Sequence, residues 1–115
     1  MRPQLTDAIK KDLGREDFAS YFMEILVLEN AINHTLEHLD KWTKERIVDT
    51  PMLIGPGESK ILQEPLGTIC VMSSWNYPLY TTLGPLIYVI ASGNTCLIKP
   101  SELAPNTLLA IKNLI

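Results

Sequence analysis

Apolar residues recur at helical spacing through the first third of the chain. Leu5, Ile9 and Leu13 follow one another at steps of four, which predicts a short helix that ends at Gly14. Steps of three and four then predict one long amphipathic helix from Glu16 to about Lys44. The positions of this long helix that are expected to face inward are Phe18, Phe22, Ile25, Leu28, Ile32, Leu36 and Leu39.

Proline and glycine interrupt the pattern after the long helix. Pro51 lies within the first of two short segments, Val48 to Ile54 and Ser59 to Gln63, and these segments flank the turn Gly55-Pro56-Gly57. Short segments on either side of such a turn predict a β-hairpin.

Two unbroken apolar runs follow, with a helical segment between them. Ile69 to Met72 and Thr95 to Ile98 lack alternation, which is typical of strands that are buried on both faces. Leu83 to Ala91 is long enough for a helix and is followed by Gly93, a favoured residue just past a helix end. The order strand, helix, strand predicts an α/β fold with one right-handed βαβ crossover. A last helical segment is expected over Asn106 to Ile115.

Pro85 lies inside the expected crossover helix. A proline there removes one hydrogen bond and crowds the carbonyl of Thr81, four residues back. The helix therefore begins near Leu83, capped by Thr81 or Thr82, or it begins near Pro78 and kinks at Pro85. The second alternative is favoured, because proline suits the first turn of a helix.

Polar residues follow both expected strands, at Ser73 to Pro78 and at Lys99 to Glu102. The carboxyl ends of parallel strands meet at one edge of a sheet, and ligands bind at that edge in open α/β folds. The two polar segments are therefore the candidate site.

Composition and charge exclude several classes of function. The chain has 115 residues and a net charge of −3, which offers no basic surface for nucleic acid. Two cysteines cannot define a disulfide framework and suit a reducing, cytoplasmic compartment. The charged segment from Met1 to Leu13 lacks the apolar core of a signal peptide. No apolar run is long enough to span a bilayer, so no membrane segment is expected in this chain.

The runs EPLGTICVMSSWNYP, residues 64–78, and GPLIYVIASGNTCLIKPSELAPNT, residues 84–107, resemble the aldehyde dehydrogenase superfamily, and most closely its class 3 or fatty-aldehyde branch. The elements W-N-[YF]-P and K-P-[SA]-E, spaced around a G-N step, carry the resemblance. It implies a helical arm (1–45), a bridging hairpin (46–63) and the start of a doubly wound, Rossmann-like NAD-binding domain (64–115). It also implies an N-proximal piece of a longer enzyme, whose nucleophilic Cys and general-base Glu lie beyond residue 115. The chain alone is then expected to be inactive, and its full-length parent to form a homodimer with help from the hairpin.

The resemblance also assigns roles at the candidate site for NAD(P)-dependent oxidation of an aldehyde. Asn76 matches the family's oxyanion donor, although an Asn that stabilises a tight turn is the alternative from the residues alone. Lys99 and Glu102 match the pair that holds the adenosine ribose, and the carboxylate favours NAD over NADP, with NADP still accepted; an exposed salt bridge is the alternative. Tyr77 and Thr81 are placed along the aldehyde tunnel. The cofactor-binding residues implied are Ser73, Ser74, Trp75, Lys99, Pro100, Ser101 and Glu102.

Other residues invite different hypotheses. Cys70 and Cys96 do not match the family's nucleophile and are interpreted as inert core residues. His34 and His38 form an H-x-x-E-H pattern with Glu37, typical of a zinc hydrolase, but no third histidine exists, so no metal is predicted. Trp75 and Tyr77 fit core or pocket-wall aromatics by pattern alone. A non-catalytic piece that pairs with a full-length relative remains the alternative to an enzyme part.

Overall fold

In the computed structural model, which describes residues 2–115, the first third of the chain is helical. Helix α1 covers Arg2–Leu13 and ends as predicted at Gly14. Gly14 has φ of +66°, and its N–H donates to the Lys10 carbonyl oxygen at 2.8 Å. This is the left-handed position that glycine adopts without steric penalty at a helix end.

The predicted long helix is confirmed within two residues at its carboxyl end. Helix α2, Asp17–Ser20, continues into a π-helical segment, Tyr21–Ile25, and then into α3, Leu26–Trp42. The residues at the two junctions keep right-handed helical backbone angles, so the three segments form one rod. The π-helical segment was not predicted.

The predicted inward face of this rod is only partly correct. Ile25 and Leu28 are buried, but Phe18 is 77% exposed and Leu36 is 67% exposed. Phe22 and Ile32 are exposed as well. The cause is shape: the described chain is 64 Å long and only 24 and 20 Å wide, so little of it packs around the rod.

The hairpin is present, but its first strand was placed too late. Strand β1 covers Arg46–Val48 and pairs antiparallel with β2, Ser59–Ile61. Met52–Ile54 form a 3-10 turn inside the region that was predicted as strand. The reason is Pro51, which has no N–H for a strand ladder and whose carbonyl accepts the Ile54 N–H at 2.9 Å instead.

The βαβ unit is confirmed. Strand β3, Thr68–Met72, lies parallel to β4, Thr95–Lys99, and α4, Pro78–Ala91, connects them. Helix α4 begins at Pro78, the favoured alternative, and continues through Pro85. Helix α5 follows at Pro105–Lys112, slightly earlier and shorter than predicted. The fold class is therefore α/β, with a helical segment in front of a two-stranded parallel sheet.

The prediction that both strands are buried on both faces is wrong for the described residues. In β3 only Val71 is buried, and Met72 is 76% exposed. Cys70 is exposed and Cys96 is half-buried, so they are not the core residues that were expected. The physical reason is that α4 covers one side of the sheet, and the alternation of burial along both strands reflects this single layer.

The hydrophobic core lies where the helices meet, away from the sheet. Each of four helical segments and the π-helical segment contributes to it. Its buried members are Ile9, Ile25, Leu28, Leu79 and Ile111.

Candidate functional site

The ends of the two strands lie side by side, as the sequence predicted. Met72, the last residue of β3, is in register with Lys99, the last residue of β4. The Ser73 N–H donates to the Lys99 carbonyl oxygen at 3.1 Å, which extends the pairing one residue beyond the strand. The segment after each strand therefore starts from the same edge of the sheet.

Asn76 is held by its side-chain oxygen. The Ser74 hydroxyl donates to Asn76 Oδ1 at 2.6 Å. Thr81 Oγ1 lies within hydrogen-bonding distance of the Ser74 and Tyr77 carbonyl oxygens, at 3.2 and 2.9 Å, and ties the turn to the first turn of α4. Within residues 2–115 no hydrogen bond is donated by the Asn76 side-chain NH2 group, and the residue is exposed. The amide is thus held through its oxygen, and its NH2 group is not used in a hydrogen bond among the described residues.

The Ser73 side chain makes a hydrogen bond within the fold. Its Oγ lies 2.7 Å from Thr82 Oγ1, and Thr82 is fully buried and donates to the Pro78 carbonyl at 2.6 Å. This chain fastens the end of β3 to α4. Trp75 and Tyr77 are 51% and 37% exposed, so they are not core residues, and the alternative that they form a pocket wall stays a prediction.

Lys99 and Glu102 form an ion pair with Nζ and Oε2 2.9 Å apart. Both side chains are exposed, and the hydrogen bond from Lys99 holds the pKa of Glu102 below its ordinary value. Between them Pro100 is half-buried and Ser101 is buried, and Ser101 Oγ accepts the Leu103 N–H at 3.3 Å. The exposed salt bridge considered from the sequence is present, and both its charges remain accessible from solvent.

Two residues that the sequence reasoning missed reach the same turn from the helical segment. Glu24 is fully buried, and its Oε2 accepts the N–H groups of Leu79 and Tyr80 at 2.8 and 2.9 Å. Arg15 pairs with Glu24 through Nη1 at 2.5 Å and donates from Nη2 to the Asn76 carbonyl oxygen at 2.5 Å.

Burial raises the pKa of Glu24, while the hydrogen bonds from Tyr80 and Leu79 and the charge of Arg15 act in the opposite direction. A buried carboxylate is retained only where several donors satisfy it, and here three groups do so. The sequence held a signal for Glu24: it stands between Met23 and Ile25, in an apolar stretch of an amphipathic helix. Acidic residues are rarely buried unless they are paired.

The histidine pattern does not gain a third ligand. His34 and His38 lie on α3 with ring centroids 4.2 Å apart, and His38 Nδ1 is 2.9 Å from the His34 carbonyl oxygen. Within residues 2–115, no cluster of three or more His, Cys, Asp or Glu side chains is arranged to bind a metal ion. None of the helices in that same range is both long and apolar enough to cross a bilayer.

Comparison with known proteins agrees with this fold. The sequence profile of the aldehyde dehydrogenase family matches residues 1–115, and the chain belongs to that family. Several of the relatives are family 3 aldehyde dehydrogenases. The chain is 42% identical over 101 residues to aldehyde dehydrogenase family 3 comG of Dictyostelium discoideum, covering 88% of this chain and 22% of that protein.

Two further comparisons involve Staphylococcus aureus. The chain is 41% identical over 111 residues to the 4,4'-diaponeurosporen-aldehyde dehydrogenase of that species, covering 96% of this chain and 24% of that protein. The substrate-bound structure of AldH from the same species superposes with a TM-score of 0.88 at 38% identity, covering 99% of this chain and 27% of that one. The chain therefore spans about a quarter of the length of these relatives.

Proposed function

We propose that this chain is part of an enzyme that oxidises an aldehyde to a carboxylic acid, with NAD as the preferred cofactor and NADP as an accepted second one. Membership of the aldehyde dehydrogenase family supports the reaction class. The family's nucleophilic cysteine and general-base glutamate belong to the remainder of such an enzyme. Residues 1–115 alone are therefore proposed to be inactive.

The Asn76 amide carries the proposal. Attack of a thiolate on an aldehyde creates a tetrahedral oxyanion, and a fixed NH2 donor stabilises that charge in the transition state. The hydroxyl of Ser74 donates to Asn76 Oδ1 at 2.6 Å, and within residues 2–115 the NH2 group makes no hydrogen bond, which leaves this donor for an oxyanion. Tyr77 and Thr81 flank this donor and are proposed to line the path of the aldehyde.

The Lys99–Glu102 pair supports cofactor binding at the neighbouring strand end. An ammonium donates to, and a carboxylate accepts from, the two hydroxyls of a ribose, and both groups are solvent-accessible. A carboxylate next to the 2′ position repels a 2′-phosphate, which favours NAD. Ser73, Ser74, Trp75, Pro100 and Ser101 are proposed to shape this site around the pair. When bound, NAD would accept the hydride that leaves the substrate carbon.

The test uses a hybrid enzyme in which residues 1–115 replace the matching segment of the S. aureus AldH of known structure. NADH formation is followed with a panel of aliphatic aldehydes. The expected result is turnover by the hybrid enzyme and none by the 115-residue chain alone. In the hybrid enzyme, Asn76→Ala should lower kcat about 100- to 1000-fold and change KM less.

Asn33→Ala provides the matched control, because Asn33 is exposed on α3 and belongs to neither of the segments that follow the strands. This control should keep normal kcat. Near-normal kcat for Asn76→Ala, together with lower thermal stability, would show that Asn76 only stabilises the turn and would refute its role as a donor.

A second candidate function is pairing with a full-length relative through the hairpin. The observation in its favour is exposed apolar surface there: Met52 is 96% and Leu53 100% exposed. The same surface supports the proposal of a homodimer for the complete enzyme. The two free cysteines support a reducing compartment such as the cytoplasm. Mixing the 115-residue chain with intact AldH and measuring the mass of the complex distinguishes pairing from no interaction.

A further inference from the structure

We infer that Arg15 and Glu24 are positioning residues that hold the Asn76 turn in the geometry that the oxyanion donor requires. This inference rests on the proposed function, because it assigns the two residues a role in the same site. Neither side chain is proposed to touch substrate or cofactor.

The Arg15 guanidinium makes three contacts around the turn. It pairs with the Glu24 carboxylate at 2.5 Å, donates to the Asn76 carbonyl oxygen at 2.5 Å, and lies 4.6 Å from the centroid of the Tyr77 ring. Only a planar fork of donors reaches a carboxylate and a carbonyl at once while its face stacks on an aromatic ring. The side chain is 18% exposed, so these contacts are shielded from water on most sides.

Glu24 fixes the other end of the turn. Its second oxygen accepts the backbone N–H groups of Leu79 and Tyr80, which belong to the first turn of α4. Helix α4 has no side-chain cap of its own at Tyr77, so this carboxylate satisfies donors that would otherwise be unpaired. The turn that bears Asn76 is therefore attached at its carbonyl by Arg15 and just after it by Glu24.

The local hydrogen bond from Ser74 fixes the Asn76 amide relative to the turn, but it does not fix the turn relative to the rest of the protein. Other contacts join the turn to β4 and α4, whereas Arg15 and Glu24 attach it to the helical segment, 61 and 55 residues away from their partners. Oxyanion stabilisation depends on donors that are already in place, and a displacement of about 1 Å lowers the rate roughly 100-fold in comparable sites. The two residues are thus expected to affect kcat through Asn76.

The experiment uses the hybrid enzyme. Arg15→Met should lower kcat about 10- to 100-fold, with KM for NAD within about twofold of the parent, because the turn is displaced and the ribose site is not. Glu24→Gln keeps the size of the side chain but removes the negative charge that pairs with Arg15. This variant should therefore also lower kcat. Addition of guanidinium ion to Arg15→Ala should restore part of the lost kcat.

Arg2→Met is the matched control. Arg2 also pairs with a glutamate, Glu29, at 2.5 Å and lies over a tyrosine ring, Tyr21, at 5.1 Å, but it is 61% exposed and lies at the start of α1. The two variants thus remove arginines from two clusters of the same chemistry, one beside the Asn76 turn and one at the start of α1. Arg2→Met should leave kcat unchanged.

A double variant separates this inference from the proposed function. If Arg15 acts through Asn76, Arg15→Met should cost at most about twofold in kcat in the Asn76→Ala background. A multiplicative loss there, or an unchanged kcat in the single Arg15→Met variant, overturns the positioning role and leaves the proposed function intact. An unchanged kcat in Asn76→Ala instead refutes the proposed function, and the positioning role falls with it.

Arg15→Lys keeps the test decisive if Arg15→Met does not fold. Lysine preserves a positive charge beside Glu24 but has no planar fork, so it cannot serve both oxygens and stack on Tyr77. The folded Arg15→Lys variant should show a kcat loss of about threefold or more that disappears in the Asn76→Ala background. Full activity of Arg15→Lys contradicts the inference.

Discussion

Replacing Asp12 by alanine should lower the free energy of local opening at the start of α5 by about 2 kcal/mol. Asp12 lies in α1, yet its carboxylate caps α5. Oδ1 accepts from the N–H and the side-chain amide of Asn106 at 3.1 and 2.7 Å, and Oδ2 accepts from the N–H and hydroxyl of Thr107, both at 2.7 Å. Helix α5 has no side-chain cap at Ala104.

The magnitude follows from these contacts. Loss of a helix cap costs about 1 kcal/mol, and a buried donor left without an acceptor adds roughly 1 to 3 kcal/mol. Thr107 is fully buried, so the cost of a buried donor without an acceptor applies to it. Asp12 is only half-buried, so water can replace part of the lost contacts. A total of about 2 kcal/mol corresponds to roughly 30-fold in the equilibrium for opening.

Amide hydrogen exchange measured on peptides from the hybrid enzyme reports this change directly. Exchange over residues 105–112 should accelerate about 30-fold in Asp12→Ala, whereas exchange over α4 should not change. Asp7→Ala is the control in the same helix: within residues 2–115 the polar contact of Asp7 is an exposed i,i+4 pair with Lys11 at 2.7 Å, worth less than about 0.5 kcal/mol. Equal exchange rates over α5 in Asp12→Ala and Asp7→Ala would refute the capping argument.

Three other predictions test separate features. Desolvation opposes ionisation of Asp12, but the hydrogen bonds from Asn106 and Thr107 together hold its pKa below the ordinary 3.8. Its stabilisation is therefore fully present above pH 3.8 and lost as the pH falls below it; α5 exchange should show this acid dependence in the parent but not in Asp12→Asn. Glu102→Gln should raise KM for NAD about three- to tenfold and leave kcat nearly unchanged, and the reverse pattern would contradict a role in cofactor binding. Expressed alone, the 115-residue chain should associate with itself, because its two-stranded sheets have open edges and apolar side chains such as Leu53 are exposed. A monodisperse monomer with a sharp, reversible unfolding transition would argue against this.

The elements that the sequence predicted well are those with local signals. Gly14 and Gly93, with φ of +66° and +76°, follow α1 and α4 where the apolar periodicity stops. Pro78 begins α4 because its fixed φ and missing N–H suit the first turn. The strand, helix, strand order of the crossover follows from run lengths alone.

The features that were mispredicted depend on what surrounds an element. The apolar runs in β3 and β4 are typical of strands covered on both faces, but the described residues provide one covering layer, so Met72 and Leu97 are exposed. Pro51 shows the converse case, a local signal that outweighs apolar residues: β1 ends at Val48, and Met52–Ile54, which follow Pro51, form a 3-10 turn. The apolar pattern indicates which side chains can be buried, but it does not indicate how many layers of structure cover a strand.

The contacts of Arg15 and Glu24 could not be predicted for a different reason. The Arg15–Asn76 and Glu24–Leu79 contacts join residues that are 61 and 55 positions apart, and no local pattern encodes such a pairing. Only the isolated acid between Met23 and Ile25 indicated that a buried partner was needed. Sequence reasoning thus located the candidate catalytic residue but not the residues that hold it.

The helical segment supplies a carboxylate to the start of each of two later helices, α4 and α5. Each of these helices begins with proline, lacks a side-chain cap of its own, and receives a carboxylate from the helical segment: Glu24 for α4 and Asp12 for α5. Helix N-termini carry partial positive charge, so each carboxylate is bound by the dipole as well as by hydrogen bonds. The Asn76 turn leads directly into α4, and the Lys99–Glu102 pair lies just before α5. Glu24 and Asp12 therefore join the helical segment to the starts of the two helices that follow the proposed oxyanion donor and the proposed ribose site, although they belong to neither site.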